Sequence, residues 1–199
     1  MSNQELKQKA RAQLGNKLFS NAWLMALLAC AIVGAITAGA ATVVPGLGAL
    51  LIFGAIEYGS ARLFLDQARS GSPMEIGTLF SGFSSDFGEL FLLGFLSSLF
   101  IALWSLLLVI PGIVKSYSWA LIYYIKRDHP EYDWRQCLNE SAAMMNDHKL
   151  DLFLLDLSFI GWYLLGSLCF GLGTLWVAPY HKAAKAQFYA ELCKEPHII

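Results

Sequence analysis

Six ionisable side chains stand inside, or at the edges of, long stretches that otherwise carry no charge: Glu57, Arg62, Asp66, Lys115, Asp156 and His181. A charge at the centre of a bilayer costs about 3 kcal/mol on insertion scales, so a chain that keeps one there is expected to use it. Glu57 is the first Asp, Glu, Lys or Arg after the 39 residues Leu18 to Ile56. Arg62 and Asp66 follow at the i, i+4 spacing that lets helical side chains pair. Together the three form a candidate proton or cation relay, or a grip on a polar headgroup. The simpler alternative is an interface ion pair, with Glu57 capping or snorkelling. Lys115 lies three residues past Pro111-Gly112, where a broken helix would offer backbone groups to an anion or polar substrate; a snorkelling lysine is the alternative. Asp147 and Asp151 suit N-terminal capping and the helix dipole. Asp156 sits deeper and is a candidate for facing a polar cavity. His181, with Lys182 and Lys185, brings the first charge after Leu157–Tyr180.

Enzymatic chemistry finds no foothold of this kind. There is no H-E-x-x-H, G-x-S-x-G or Walker loop, and His129, His148, His181 and His197 share no ligand spacing. Cys30, Cys137, Cys169 and Cys193 form no C-x-x-C pair and are expected to be small packing residues. No catalytic residue, cofactor or metal is therefore expected, and the chain is not expected to be an enzyme.

The elements that must position these side chains follow from composition. Of 199 residues, 56% are hydrophobic and 15% charged, against about 25% charged in a soluble domain. Leu18–Ile56, Leu90–Val114, Ser116–Ile125 and Leu157–Tyr180 carry no Asp, Glu, Lys or Arg. Uncharged apolar runs above roughly 18 residues read as helices crossing a hydrocarbon layer. Met1 to Lys17 is polar, and the run behind it is too long for a signal-peptide core, so the first span is expected to stay in the mature protein. The net charge of −1 argues against a nucleic-acid binder.

Three marks recur in one order. Capping boxes open at Ser2, Ser72 and Asp133, Leu-Phe pairs at Leu18, Leu90 and Leu152, and glycine breaks at Gly46, Gly112 and Gly173. The apolar stripes behind the boxes are Leu6, Ala10, Leu14; Ile76, Leu79, Phe80, Phe83; and Trp134, Leu138, Met145. The expected fold is an all-α membrane bundle. It would have about six transmembrane or half-spanning helices, arranged as three hairpins with short cytoplasmic amphipathic helices. The whole of 1–199 is expected to form one integral-membrane domain, with approximate repeats 1–69, 70–130 and 131–195. Tight turns are expected around Val44-Pro45-Gly46, Ile110-Pro111-Gly112 and Gly171-Leu172-Gly173. The second helix of each hairpin meets charge early, so it either crosses while packed inside the bundle or is partly re-entrant.

Charge placement orients the bundle. Thirteen of 14 Lys and Arg lie before the first expected span, after the second, between the fourth and fifth, or at the end of the chain, and Lys115 alone lies near a turn. The positive-inside bias then puts both termini in the cytoplasm. Ala31, Ala35 and Gly39 form a small-residue stripe expected to pack within the chain. Trp23, Tyr123-Tyr124 and Trp176 are expected to anchor at headgroup level.

Further marks are Gly59, Arg62, Phe64, Leu65 and Asp66; the run from Trp104 to Ser118; His148-Lys149 with Phe153; Leu157 to Trp162; and Pro179-Tyr180. With them the chain resembles, over nearly its whole length, a bacterial integral-membrane family known as domain-of-unknown-function family 975. The resemblance implies a polytopic protein of the bacterial inner membrane and carries no established activity. Two functions fit: a bundle cavity that binds or transports a lipid, amphiphile or small solute, and an accessory or scaffold protein binding a partner or sensing the bilayer through Leu79, Phe80 or Trp134. Expected partners are membrane lipids, with a membrane-protein partner or a second copy of the chain, and no nucleic acid.

Overall fold

In the computed structural model the described residues are 3–15, 20–43, 48–84, 87–107, 109–168 and 172–194. Among them the chain is helical throughout: α1 (Asn3–Gln13), α2 (Asn21–Val43), α3 (Gly48–Ser70), a 3-10 helix (Ile76–Phe83), α4 (Phe87–Leu107), α5 (Val109–Ser118), α6 (Ile122–Asp128), α7 (Trp134–Met144), α8 (Lys149–Leu168) and α9 (Leu172–Leu192). Among the described residues three stretches are long and apolar enough to cross a membrane, Asn21–Gly39, Phe87–Leu106 and Lys149–Leu168. Ser2 of the first capping box, Leu18-Phe19, Val44-Pro45-Gly46, Cys169, Gly171 and His197 lie outside the described residues.

The chain forms two compact units, passing between them within α2, within α3, at the start of the 3-10 helix and at the start of α8. One comprises Met1–Gly34, Leu63–Ile76 and Leu150–Ile199, the other Ala35–Arg62 and Gly77–Lys149.

In the first unit α1 lies against α9. The stripe Leu6, Ala10, Leu14 is fully buried, so this amphipathic face is covered by protein rather than left for a lipid surface. A knot of glutamines holds the junction. Gln13 donates to the Phe64 carbonyl at 3.0 Å and the Gln67 side chain at 3.1 Å, while Gln187 donates to Gln13 at 2.9 Å. Lys9 pairs with Glu191 at 2.8 Å on the rim. Phe64, Phe159 and Phe188 fill the interior. Trp23, expected as an anchor, is buried there beside Tyr180.

Two expected local features change on folding. Gly71 has φ +63° and donates to the Gln67 carbonyl at 2.9 Å, closing α3 with a left-handed cap. Ser72 is engaged with Ser70 at 2.8 Å, so the box it was expected to open starts no helix, and regular structure resumes only at Ile76 as a 3-10 helix. With three residues per turn, Leu79 and Gly82 share the buried face, while Phe80 and Phe83 are exposed. Gly112 and Gly173 are likewise not turn residues. Gly112 lies inside α5, where a side chain would strike Ser105 of α4; Gly173 lies in the first turn of α9, where one would strike Gly166 of α8. Both glycines let two helices touch.

In the second unit α4 packs along α5, and α7 contacts α4, α5 and α6. Gly54 of α3 and Gly94 of α4 meet backbone to backbone. Asp133 forms the expected capping box of α7 in full, accepting from the Gln136 amide at 2.7 Å while the Gln136 side chain accepts from Asp133 N–H at 2.8 Å. The helical segment that follows α4 is broken into α5, of 10 residues, and α6. At 1.5 Å per residue α5 covers about 15 Å, half of a hydrocarbon core. Ser141 of α7 mends the break, accepting from Leu121 N–H at 3.3 Å and donating to the Ser118 carbonyl at 2.8 Å. Lys126 is only 4% exposed and donates to the carbonyls of Pro130 and Tyr132 at 2.9 and 2.7 Å, fixing the α6–α7 connection. Tyr124, expected as an anchor, is buried. Ala35 and Gly39 of the small-residue stripe are exposed rather than packed within the chain.

Candidate functional site

On α8, Asp156, Phe159 and Tyr163 recur at i, i+3 and i+7 and therefore share one face. On α9, His181 and Lys185 are one turn apart and meet that face. His181 Nε2 lies 2.7 Å from Asp156 Oδ1, and Lys185 Nζ lies 3.3 Å from Asp156 Oδ2. The other ring nitrogen, Nδ1, lies 3.2 Å from the Tyr163 hydroxyl. Phe159 stacks on the imidazole at 4.7 Å between ring centres. The aspartate thus has a partner on each oxygen, and the histidine one on each nitrogen.

Further side chains seat this core. The Lys7 ammonium stands 4.6 Å over the Phe159 ring and donates to the Ser158 carbonyl at 3.1 Å, and burial pulls its pKa below the ordinary lysine value. Tyr180 sets its ring edge-on to Phe159 and donates from its hydroxyl to the Lys7 carbonyl at 3.1 Å. Pro179, inside α9 just before these residues, has no N–H to give to the Leu175 carbonyl.

Chemically this is a carboxylate–imidazole–phenol chain with a lysine beside it. With Nε2 protonated and donating to Asp156, Nδ1 accepts from Tyr163; with both nitrogens protonated, the phenol oxygen accepts instead. The same geometry therefore serves both protonation states, as a proton relay requires. Among the described residues no three His, Cys, Asp or Glu side chains converge as a metal ion would need.

Of the six candidates from sequence, Asp156 and His181 come together. Tyr163 and Lys185 complete the cluster and were missed, although i, i+7 from Asp156 and i, i+4 from His181 were legible spacings. Asp66 is half-buried on α3, its carbonyl accepting from Ser70 at 2.6 Å. Glu57, Arg62 and Lys115 belong to the second unit. Glu57 is half-buried, and its field reaches the half-buried Tyr123 and the buried Tyr124; Arg62 is exposed. Lys115 lies 5.2 Å over Trp119, and Arg135 lies 4.9 Å over Trp134. Lys115 and Arg135, assigned by charge distribution to opposite ends of a hairpin, line the same hollow.

Residues 106–195 match the family described as protein of unknown function (DUF975). The match supports the family resemblance over that stretch, which holds α5 to α9 and the whole Asp156 cluster; Gly59, Arg62 and Trp104 lie before it. No curated protein and no solved structure matches the chain.

Proposed function

We propose that this chain, with its DUF975 segment at 106–195, is a non-enzymatic multi-pass protein whose helical bundle takes up a lipid, amphiphile or small solute, to bind it or carry it across a membrane. On this reading 1–199 is one integral-membrane domain of three hairpins with approximate repeats 1–69, 70–130 and 131–195, set in the bacterial plasma membrane with both termini cytoplasmic. Three sufficiently apolar helices support it, as does the bias of Lys and Arg away from the expected turns. The broken α5–α6 arm favours a partly re-entrant second hairpin, since discontinuous helices suit polar cargo.

One observation carries the reading. Asp156, His181, Tyr163 and Lys185 are joined along the inner face of α8, while Leu154, Leu157, Ile160, Leu164, Leu165 and Leu168 are exposed on the same helix. A polar cluster kept on so apolar a helix is a functional site by default. The test uses full-length protein in liposomes loaded with a pH-sensitive dye under an imposed proton gradient, with mass spectrometry of whatever co-purifies. The expected result is dye response above protein-free vesicles, or a retained amphiphile, lost in His181→Ala and Asp156→Asn. Neither flux nor any retained molecule from the wild type would sink the proposal.

A second reading, an accessory protein that docks a partner, is favoured by one surface. Phe80, Phe83 and Phe87 are exposed, and Phe83 stacks on Phe87 at 5.7 Å. Leu79 is buried and does not belong to that surface. A photo-crosslinker at Phe80 that captures one defined membrane protein supports docking; labelling of lipid alone counts against it.

A further inference from the structure

The second unit holds a hollow of about 410 Å³ whose walls come from α4, α5, α7 and the break after α5. Phe100, Trp104, Trp119 and Trp134 supply aromatic surface, and Lys115 and Arg135 supply two cations. Each cation lies over an indole, and Phe100 sets its ring edge-on to Trp119 at 6.1 Å. No acidic residue lines the hollow, and among the described residues neither Lys115 nor Arg135 has a carboxylate partner. Two like charges lining one concavity repel unless an anion joins them. Indole faces tolerate a cation yet leave its charge available outward.

We infer that this hollow binds a lipid with an anionic phosphate headgroup, the phosphate between Lys115 and Arg135 and the acyl chains along α4 and α5. Charge complementarity selects the anion, and the neighbouring surface selects an amphiphile over a free ion. The α4–α5 edge leading to Lys115 exposes Leu106 at 85%, Ile110 at 75%, and also Leu103, Val109, Ile113 and Val114. An apolar strip of that kind has no use for a lone phosphate and continues naturally into acyl chains. The aromatic walls suit the boundary between the two parts of such a ligand, where amphipathic rings sit. Lys115 thus becomes one half of a headgroup clamp. The inference rests on the membrane reading above but not on the Asp156 cluster.

Tryptophan fluorescence of the full-length protein in vesicles tests it, with a minor fraction of brominated phosphatidylglycerol or brominated phosphatidylcholine as quencher. Phosphatidylglycerol is expected to quench more strongly. Trp119→Phe with Trp134→Phe removes most of that excess, and Lys115→Gln with Arg135→Gln removes the headgroup preference, by about fivefold for each cation lost. Lys115→Arg retains it. If the glutamine variant does not fold, the wild type alone decides, because a clamp predicts that the excess falls as salt is raised. Equal quenching by both lipids overturns the inference and leaves the membrane reading intact; failure of the protein to enter vesicles overturns both. Loss of the excess to millimolar inorganic phosphate overturns the lipid assignment in favour of a small-anion site.

Discussion

The cluster on α8 and α9 and the hollow beside α5 and α7 use similar residues to opposite ends. In the first, Lys185 and His181 converge on Asp156, and every polar atom named has a partner within the protein. In the second, Lys115 and Arg135 line one hollow, with indoles in place of a carboxylate. A compensated cluster can move a proton, hold two helices together, or offer a ligand hydrogen bonds without net charge. An uncompensated pair contributes little to folding and keeps its charge for whatever arrives. Whether a cation has a carboxylate in reach therefore says more about its role than its depth along an apolar run.

The largest expected effect breaks the compensated side. Asp156→Ala leaves Lys185 and His181 facing each other and is expected to cost about 2 to 3 kcal/mol in thermal unfolding in detergent, since removing one member of a partly buried pair strands the rest. The carboxylate side chain is 21% exposed, which holds the loss below the range for fully buried pairs. Next, Tyr163→Phe removes one neutral hydrogen bond and is expected to cost about 1 kcal/mol in the same assay. Smaller still, Lys115→Ala and Arg135→Ala each forfeit a cation–π contact worth under about 1 kcal/mol. If either matches Asp156→Ala in stability, the contrast collapses.

A fourth measurement sharpens the contrast without touching stability. Cys137 is buried on α7, the helix that carries Trp134 and Arg135, and burial pushes its thiol up to about 11. A maleimide at neutral pH should therefore label the exposed Cys193 and pass over Cys137, with Cys137 gaining reactivity only as the pH nears that value. Ready labelling of Cys137 at neutral pH would mean that α7 is not seated and the hollow not formed.

Within single helices the sequence was readable. The three longest uncharged runs each overlap a helix that is long and apolar enough to cross a membrane, the Asp133–Gln136 box forms with both its bonds, and Leu6, Ala10 and Leu14 are the buried face of α1. What spacing along one chain could not supply was the partner helix. Asp156 looked alone because His181 lies 25 positions away; the Gln13, Gln67 and Gln187 knot joins three helices in the same manner. Gly112 and Gly173 misled for a related reason, since a glycine required by a neighbouring backbone and one required by a turn are written with the same letter. Ser72 misled because Gly71 had already committed the local backbone to closing α3.

The contact of Gly54 with Gly94 has a mechanical consequence. Where two helices touch through bare backbone, the residues on either side carry side chains that stand above the contact like rims around a socket, so sliding along the axis is blocked. The crossing of α3 and α4 is thus keyed at that point, and a side chain added at either glycine must part the two helices.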